Sequence, residues 1–407
     1  MTDPSQINAK MSNYSMILNL IRTQGPICRA DLAQYTNLST PTVSTIIDHL
    51  TNSHLIINLG PGDSSGGRRP HLYAINPEVR QIIALSLSKT KLTMALMNMN
   101  GTIIVRQEKK FNSINKPDNG IQEIIAAIEA LILDENINHR DIAYIGVSVP
   151  GVVNSGEDIT ISSPLQWYEV PLGRRLSDHF KLPVMVENDC VAAVWAEHEI
   201  GAGQGKNHIV SVLGQNTGVG LGIILNGQVY KGITDMAGEI GHMVVEENGP
   251  RCTCGNFGCL QVTANPAALV KQALEAIEDG VDTEMARMCQ GDTKALTLEI
   301  VINALSKGDR VAFNLVDRLG TYLGGAIAKV VHILNPSTVI IGGDFAAFGQ
   351  TILESVRRPI KASVLSHASN ALEVILSPLG QDASLRGIAL LCSEKWLSET
   401  ALESEEF

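Results

Sequence analysis

The first stretch of regular hydrophobic spacing covers residues 13–25. Its apolar side chains recur at intervals of three and four residues, which is the period of one face of an α-helix; they are Tyr14, Ile17, Leu18 and Ile21. The Gly25-Pro26 pair should end this helix, because both residue types interrupt helical backbone. A shorter second helix is predicted over residues 29–35.

A third helix is predicted after a turn at residues 36–39. Thr40 is expected to cap its N-terminus. Pro41 suits the first helical position, because proline has no backbone N–H and an N–H at that position would have no partner within the helix. The apolar stripe of this helix consists of Val43, Ile46, Ile47 and Leu50. The opposite face carries the polar residues Thr42, Ser44, Thr45, Asp48 and His49.

Small polar side chains at the N-terminal end of such a helix are typical of helices that enter the major groove of DNA. There they meet base edges and phosphates. The pattern therefore predicts a helix-turn-helix, with DNA-binding residues Ser39, Thr40, Pro41, Thr42, Ser44 and Thr45.

A β-hairpin is predicted after the three helices. Two β-prone runs, 55–59 and 71–75, flank the glycine-rich loop GPGDSSGGRRP at residues 60–70. The loop carries Arg68 and Arg69, which suit the negative potential of a narrow minor groove, so the hairpin resembles a DNA-binding wing. The alternative is a protein-interaction module whose arginines are simply solvated.

From residue 81 onward, strand and helix patterns alternate. Strands are predicted over residues 81–88 and 92–98, in a third run after Gly101, and over 142–149 and 184–187; a helix over 190–200 follows the last of these. Pro150-Gly151 and Asn188-Asp189 come directly after two of the strands. Ligands of α/β proteins bind at the carboxyl ends of strands, so we expect the binding cleft here.

Charge restricts where nucleic acid can bind. The chain has 407 residues, enough for two or three domains, and a net charge of −11, which argues against nucleic-acid binding over the whole surface. Residues 1–80, however, contain six Lys or Arg and five Asp or Glu, a net charge of +1. DNA binding is therefore expected only in the N-terminal region. Neither an export signal nor a membrane span is expected.

Four residues have the spacing of a metal site. His242, Cys252, Cys254 and Cys259 supply one imidazole and three thiolates, the ligand set of a closed tetrahedral zinc site. Four protein ligands leave no position for water, so the predicted zinc is structural. The alternative is a group of buried free thiols. This cluster within an odd total of seven cysteines indicates a reducing compartment, the cytoplasm.

Six segments carry a resemblance to a known family: IGVSVPGVVN (145–154), VENDCVAAVWAE (186–197), NTGVGLGIILNGQVYKG (216–232), AGEIGHM (237–243), CTCGNFGCL (252–260) and LNPSTVIIGG (334–343). Together they are similar to the ROK family of repressors, open reading frames and kinases. NLSTPTVSTIIDHL and SSGGRRP resemble the DNA-binding half of the family's repressors. The resemblance implies an α/β fold: an N-terminal winged helix-turn-helix followed by a two-lobed actin-like, hexokinase-like (ribonuclease-H-like) domain.

The resemblance also implies a sugar site. Asn188, Asp189, Glu239 and His242 match positions that bind sugar hydroxyls in the family, and Asp189 matches the catalytic base of its kinases. Gln261 stands where the family pattern has glutamate, which implies a different sugar or weaker binding. His242 would use one ring nitrogen for zinc and the other for the ligand. The alternative is that these side chains only cap strands and satisfy backbone groups.

The phosphate-binding loop departs from the family's kinases. They carry Asp-x-Gly-Gly-Thr-Lys on the first hairpin, whereas this chain reads Ser-Leu-Ser-Lys-Thr-Lys over 86–91. Ser86 replaces the carboxylate that handles magnesium-bound phosphates, and Ser88 and Lys89 replace glycines that let phosphate approach the backbone. We therefore expect no kinase activity and no catalytic residue.

These observations lead to one main expectation. A winged helix-turn-helix over residues 8–78 and a ROK sugar-sensor and oligomerisation domain over 81–407 would form a cytoplasmic repressor of carbohydrate uptake or catabolism genes. It would bind a palindromic operator as a homodimer or homotetramer, under the control of a sugar or sugar phosphate. One alternative is a ROK sugar kinase fused to a DNA-binding domain. Another is a regulator sequestered by a protein partner such as a sugar transporter component.

Overall fold

The computed structural model of the protein describes residues 4–62, 69–154, 158–215 and 218–403. Most of the predicted wing loop, including Arg68, lies outside the described residues. Among the helices of the described part, none combines the length and apolar character needed to cross a membrane.

The N-terminal unit contains three helices and a small antiparallel sheet. The helices are α1 (Pro4–Gln24), α2 (Arg29–Thr36) and α3 (Thr40–Asn52), and the strands are β1 (Ile27–Cys28), β2 (Ile56–Pro61) and β3 (His71–Ile75), in the order β1-β3-β2. The predicted apolar stripes of α1 and α3 are buried, as their spacing requires. The two-residue strand β1 was not predicted, because so short a run has no recognisable period.

The start of α3 differs by one residue from the prediction, which placed the cap at Thr40. Ser39 is the capping residue: its backbone is extended (φ −66°, ψ 144°) and its hydroxyl accepts the N–H of Thr42. Thr40 already lies in the helix. Asn37, in the turn before α3, is the C-cap of α2 and lies in the left-handed region (φ 56°).

Two lobes follow, each built on a five-stranded sheet. The first lobe contains β4 (Gln81–Leu87), β5 (Lys91–Asn98), β6 (Ile103–Lys110), α4 (Pro117–Asp134), β7 (Ile142–Val149), β8 (Val152–Val153), β9 (Ile159–Ser162), β10 (Trp167–Val170), α5 (Leu172–Phe180) and β11 (Val184–Asn188). Its main sheet has the order β11-β7-β4-β5-β6, and β8, β9 and β10 form a separate antiparallel arm. The strand predicted over 142–149 is confirmed as β7, and every position of it is buried.

The second lobe has the sheet order β14-β13-β12-β15-β16. Its strands are β12 (Ile209–Gln215), β13 (Gly218–Leu225), β14 (Gln228–Val229), β15 (Thr338–Gly343) and β16 (Glu373–Leu376). Its helices are α7 (Leu260–Thr263), α8 (Pro266–Glu278), α9 (Glu284–Cys289), α10 (Leu298–Ser306), α11 (Arg310–Leu334), α12 (Gly349–Ser363) and α13 (Ser366–Ala371). The helices α6 (Asp189–Ile200) and α14 (Ala383–Glu403) connect the lobes.

A single apolar core joins the N-terminal unit to α14. Ile17 and Ile21 of α1 belong to the same buried cluster as Ile388, Cys392 and Leu397 of α14. The first and last helices of the chain thus pack together. Sequence periodicity predicts that each helix buries a face, but it does not indicate which partner covers that face.

Candidate functional site

A cavity of about 270 Å³ lies between the two lobes. Its walls come from the β4–β5 turn, the segment after β7, the start of α6, the strands β12 and β13, and the cysteine-containing loop. All five residues predicted to bind sugar line it: Asn188, Asp189, Glu239, His242 and Gln261. The fold therefore brings together side chains from two lobes around one polar space.

The first-lobe side of the cavity is built at the junction of β11 and α6. Asn188 caps α6: its Oδ1 accepts the N–H groups of Cys190 at 2.8 Å and Val191 at 3.1 Å. Its Nδ2 donates to the carbonyl oxygen of Gly151 at 2.8 Å, tying the end of β11 to the segment after β7. The amide of Asn188 thus positions the backbone, which is the structural role that the sequence left open as the alternative.

Asp189 is the first residue of α6 and is only 6% exposed. Burial, reinforced by the nearby negative charge of Glu239, raises its pKa to about 7. A carboxyl with such a pKa is present in both protonation states near neutral pH, so it can donate or accept a hydrogen bond. That property suits recognition of hydroxyl groups.

His242 stands between the cavity and the cysteines. Its Nδ1 lies 3.7 Å from Sγ of Cys252, and its Nε2 lies 3.7 Å from Oε2 of Glu239. Gly238 lets this segment press against β13, because a Cβ there would lie 1.9 Å from the carbonyl oxygen of Leu221. One ring nitrogen therefore faces the cysteines and the other faces the polar side of the cavity.

The four predicted ligands come together in space. The ligand atoms of His242, Cys252, Cys254 and Cys259 all lie within 4.8 Å of one another, so the group is able to hold a metal ion. Gly258 permits the tight loop, since a Cβ would approach the carbonyl oxygen of Glu246 to 1.7 Å. Three sulfurs and one imidazole nitrogen are the donors that zinc prefers.

The thiols of this cluster differ in acidity. Burial opposes ionisation of Cys252, but hydrogen bonds, chiefly from the backbone N–H of Cys254 and the amide of Gln261, outweigh it and lower its pKa to about 6. Burial and the two neighbouring thiols raise the pKa of Cys259 to about 12. A bound cation would favour the thiolate form of all three, because its charge offsets their mutual repulsion.

Gln261 has a contact that sequence reasoning missed. Its Nε2 donates to Sγ of Cys252 at 3.3 Å while the side chain also lines the cavity. A glutamate at this position would be acceptor-only when ionised and would not donate to sulfur. The amide therefore links the cysteine cluster to the cavity wall.

An ion pair between the lobes was also missed. Lys231, after β14, pairs with Glu187 of β11, and Oε1 of Glu187 accepts the N–H of Asn188 at 2.8 Å. Burial raises the pKa of Glu187, and the charge of Lys231 opposes that rise. Glu187 belongs to the VENDC segment, but its partner is 44 residues away, so no local pattern indicates the pair.

The β4–β5 turn, which stands in place of the kinase phosphate loop, is closed by its own side chain. The hydroxyl of Ser88 donates to the carbonyl oxygen of Lys91 at 3.0 Å and accepts the N–H of Lys91 at 3.1 Å. Ser86 and Ser88 line a second cavity of about 220 Å³, which also includes Gly343. The β4–β5 turn contributes the hydroxyls of Ser88 and Thr90 to this space, and Lys91 at the start of β5 also lines it.

Part of the polar face predicted for α3 is half-buried. The predicted DNA-binding residues of this segment that are exposed are Ser39, Thr40, Pro41 and Thr45, and those that are half-buried are Thr42 and Ser44. At the base of the wing, Arg69 is exposed. Asp48 pairs with Arg29 at 2.5 Å, and the His49 ring packs edge-on against Tyr14 with 5.4 Å between ring centres. Two residues of the predicted polar face therefore contact their own unit.

Known proteins resemble this chain in sequence and in fold. The Bacillus subtilis xylose repressor is 28% identical over 392 residues, covering 96% of this chain and 97% of that protein. The Thermotoga maritima glucokinase is 31% identical over 317 residues, covering 77% of this chain and 98% of that protein. A crystal structure of a ROK family transcriptional regulator, a homolog of the E. coli Mlc protein, superposes with a TM-score of 0.82 at 26% identity, covering 97% of this chain and 99% of the other.

The family model for ROK proteins matches residues 82–395, which include both lobes and every residue of the interlobe cavity named above. The match agrees with the six sequence segments that resemble the family. The chain therefore belongs to the ROK family.

Proposed function

We propose that this protein is a sugar-responsive transcriptional repressor. Its main support is the share of this chain that a repressor matches, compared with the share that a kinase matches. The xylose repressor matches 96% of this chain, whereas the glucokinase matches 77% of it, a share close to that of the two lobes alone. The part of the chain that the glucokinase does not match is the N-terminal unit. A repressor needs such a unit to bind DNA, whereas a kinase does not.

The N-terminal unit is assigned to DNA binding, as a winged helix-turn-helix over residues 8–78. The exposed N-terminal residues of α3 would face the major groove, and the β2–β3 hairpin would act as the wing. Few basic residues lie on α3, so two copies of the unit, in a homodimer or homotetramer, would bind a palindromic operator. Replacing the described wing residue Arg69 with Ala should flatten the salt dependence of binding by about one unit of slope.

The interlobe cavity is assigned to a sugar or sugar phosphate. Asp189, Glu239 and His242 would bind hydroxyls, while Asn188 holds the strand–helix junction and Gln261 holds the cysteine loop against the cavity. The polar groups converge from both lobes, so a ligand would favour one arrangement of the lobes over others. That difference in affinity is what an effector needs in order to change DNA binding.

The cysteine cluster is assigned to a structural zinc ion. The donor set and the mutual closeness of the four ligand atoms support this assignment. Zinc would cross-link residues 242 to 259, a loop with little regular structure, and so hold His242 and Gln261 at the cavity. Its thiolates need a reducing compartment, so the cytoplasm is the proposed location.

A kinase is the competing function. The replacement of the family's carboxylate by Ser86 and the closure of the turn by Ser88 favour a protein without phosphoryl transfer. A coupled assay with glucose or xylose and ATP should show no turnover. Phosphorylation at about one per second or faster, an ordinary enzyme rate, would establish the kinase instead.

The decisive experiment measures operator affinity with and without sugar. An operator is first selected from random duplex DNA with the full chain, and its affinity is then measured with D-xylose, D-glucose, N-acetylglucosamine and the phosphates of these sugars. We expect one of them to change the affinity by about 5- to 150-fold, the usual range of allosteric coupling. Failure to select any duplex would refute DNA binding. Selection without any sugar effect would refute the sugar sensor and favour regulation by a protein partner.

A further inference from the structure

Arg22 joins the N-terminal unit to the two lobes through a pair of carboxylates. Its Nη1 lies 2.6 Å from Oε2 of Glu199, at the end of α6, and its Nη2 lies 3.0 Å from Oε1 of Glu394 in α14. Its guanidinium carbon also lies 5.9 Å from the ring centre of Trp195. The side chains of Arg22 and Glu199 are only 15% and 14% exposed, so solvent screens this contact less than an ordinary surface pair.

Both carboxylates stand on helices whose first turns meet at Asp189, a residue that lines the sugar cavity. α6 starts at Asp189, and Glu199 is ten residues further along. Near the start of α14, the hydroxyl of Ser384 donates to the carbonyl oxygen of Asp189 at 3.0 Å, and Glu394 again follows ten residues later. Ten residues of α-helix span about 15 Å. Two parallel helices therefore connect one cavity residue with one arginine.

The two helices are in close contact. Gly387 of α14 lies directly against α6, where a Cβ would approach the carbonyl oxygen of Ala192 to 1.7 Å. Helices that interlock in this way move together, because packed interiors resist continuous deformation. A shift at the Asp189 end would therefore reach both Glu199 and Glu394.

We infer that Arg22 is a positioning residue that couples occupancy of the cavity to the orientation of the N-terminal unit. The inference rests on the proposed function and specifies how its two sites communicate. Apolar packing between α1 and α14 holds the units together, but the hydrophobic effect itself is not directional. Charge-assisted hydrogen bonds from one guanidinium to two helices do fix an angle.

The test compares Arg22→Gln with a matched control. In the wild type, the most effective of D-xylose and D-glucose should change operator affinity by about 5- to 150-fold, and in R22Q the change should fall below about twofold while sugar affinity is retained. The control is Arg287→Gln, because Arg287 also binds two carboxylates, Asp282 and Glu284, but does so within the second lobe. R287Q should keep the full sugar effect, and an unreduced effect in R22Q would overturn the inference.

A second measurement needs no sugar and so separates the inference from the proposed function. Hydrogen exchange of the full chain is followed with and without operator DNA. Linkage is reciprocal, so DNA should change exchange in the first turns of α6 and α14 in the wild type and leave them unchanged in R22Q. If no sugar alters DNA binding but this remote change depends on Arg22, the sensor assignment fails and the coupling stands. The same remote change in R22Q as in the wild type would remove the role of Arg22.

Arg22→Lys and Glu199→Gln test whether a weaker sugar effect in R22Q comes only from a general loss of folding. R22K keeps the charge but loses the two-pronged geometry, so the sugar effect should lie between those of the wild type and R22Q. E199Q leaves Arg22 in place and removes one of its two anchors, and it too should reduce the effect. Reduced coupling only in variants with a lowered melting temperature would indicate a merely structural role and would contradict the inference.

Discussion

The two sides of the cavity are held in different ways. On the first-lobe side, Asn188 and Asp189 lie where a buried strand meets a helix, and backbone hydrogen bonds fix them. On the second-lobe side, His242 and Gln261 lie on or beside a loop whose cysteines are close enough to share a metal ion. One side depends on regular secondary structure, and the other would depend on a cross-link through that ion. The two sides should therefore respond differently to mutation, chelation and pH.

The largest effect is expected from Cys254→Ser. The free energy of zinc binding at a structural site, about 10–16 kcal/mol in zinc-finger peptides, is folding free energy, so losing one ligand should lower metal content and stability together. Metal is measured by atomic absorption, and stability by thermal denaturation. The control is Cys289→Ser, a buried thiol outside the cluster, which should retain the metal. A wild-type protein without zinc would show that both sides of the cavity are held by the polypeptide alone.

The second effect is a pH dependence from the first-lobe side. The native pKa of Asp189 is raised from 3.8 to about 7, so the folded state holds a proton that the unfolded state loses. Its contribution to stability is therefore complete below about pH 4 and declines as pH rises to about 7, by up to about 1.4 kcal/mol per pH unit. The difference in the free energy of unfolding between the wild type and Asp189→Asn, measured from pH 5 to 8, isolates the contribution of Asp189 to stability. A difference that does not vary with pH would mean that Asp189 is ionised throughout.

A smaller effect is expected from Gln261→Leu. Removing the amide that donates to Cys252 should weaken zinc binding by about 10- to 100-fold, the usual consequence of losing an outer hydrogen bond to a metal ligand. Competition with a chelator measures the zinc affinity. Gln215, which lines the same cavity from β12, provides the control: Gln215→Leu should leave zinc affinity unchanged. Equal zinc affinities for the two variants would rule out this link between the cavity and the cluster.

The smallest effect is expected from Asn188→Ala. Loss of the helix cap should lower the free energy of unfolding by about 1 kcal/mol and leave the zinc content unchanged. Urea denaturation measures the loss, and Asn188→Ser, which preserves a capping oxygen, should recover part of it. A fall in zinc content with N188A would show that the two sides of the cavity are not held independently.

Much of the local structure follows from short segments of sequence. Three features were predictable: the buried faces of α1 and α3, the strand over 142–149, and the grouping of His242 with three cysteines. Each depends on a period or spacing within about 20 residues. The polar face predicted for α3 also makes contacts that no such pattern indicates. Polarity marks Asp48 and His49 as outward-facing, but it does not reveal that Arg29 and Tyr14 lie within reach.

Local patterns in the sequence were enough to predict most of the elements, the family resemblance and the grouping of His242 with three cysteines. Which elements pack against each other is known only from the folded structure. The partners of Arg22 are 177 and 372 residues away, and Lys231 reaches Glu187 across 44 residues. The hydrogen bond from Gln261 to Cys252 likewise requires that the loop between them fold back on itself. Periodicity describes the faces of one segment, whereas pairing between distant segments depends on packing that no local pattern encodes.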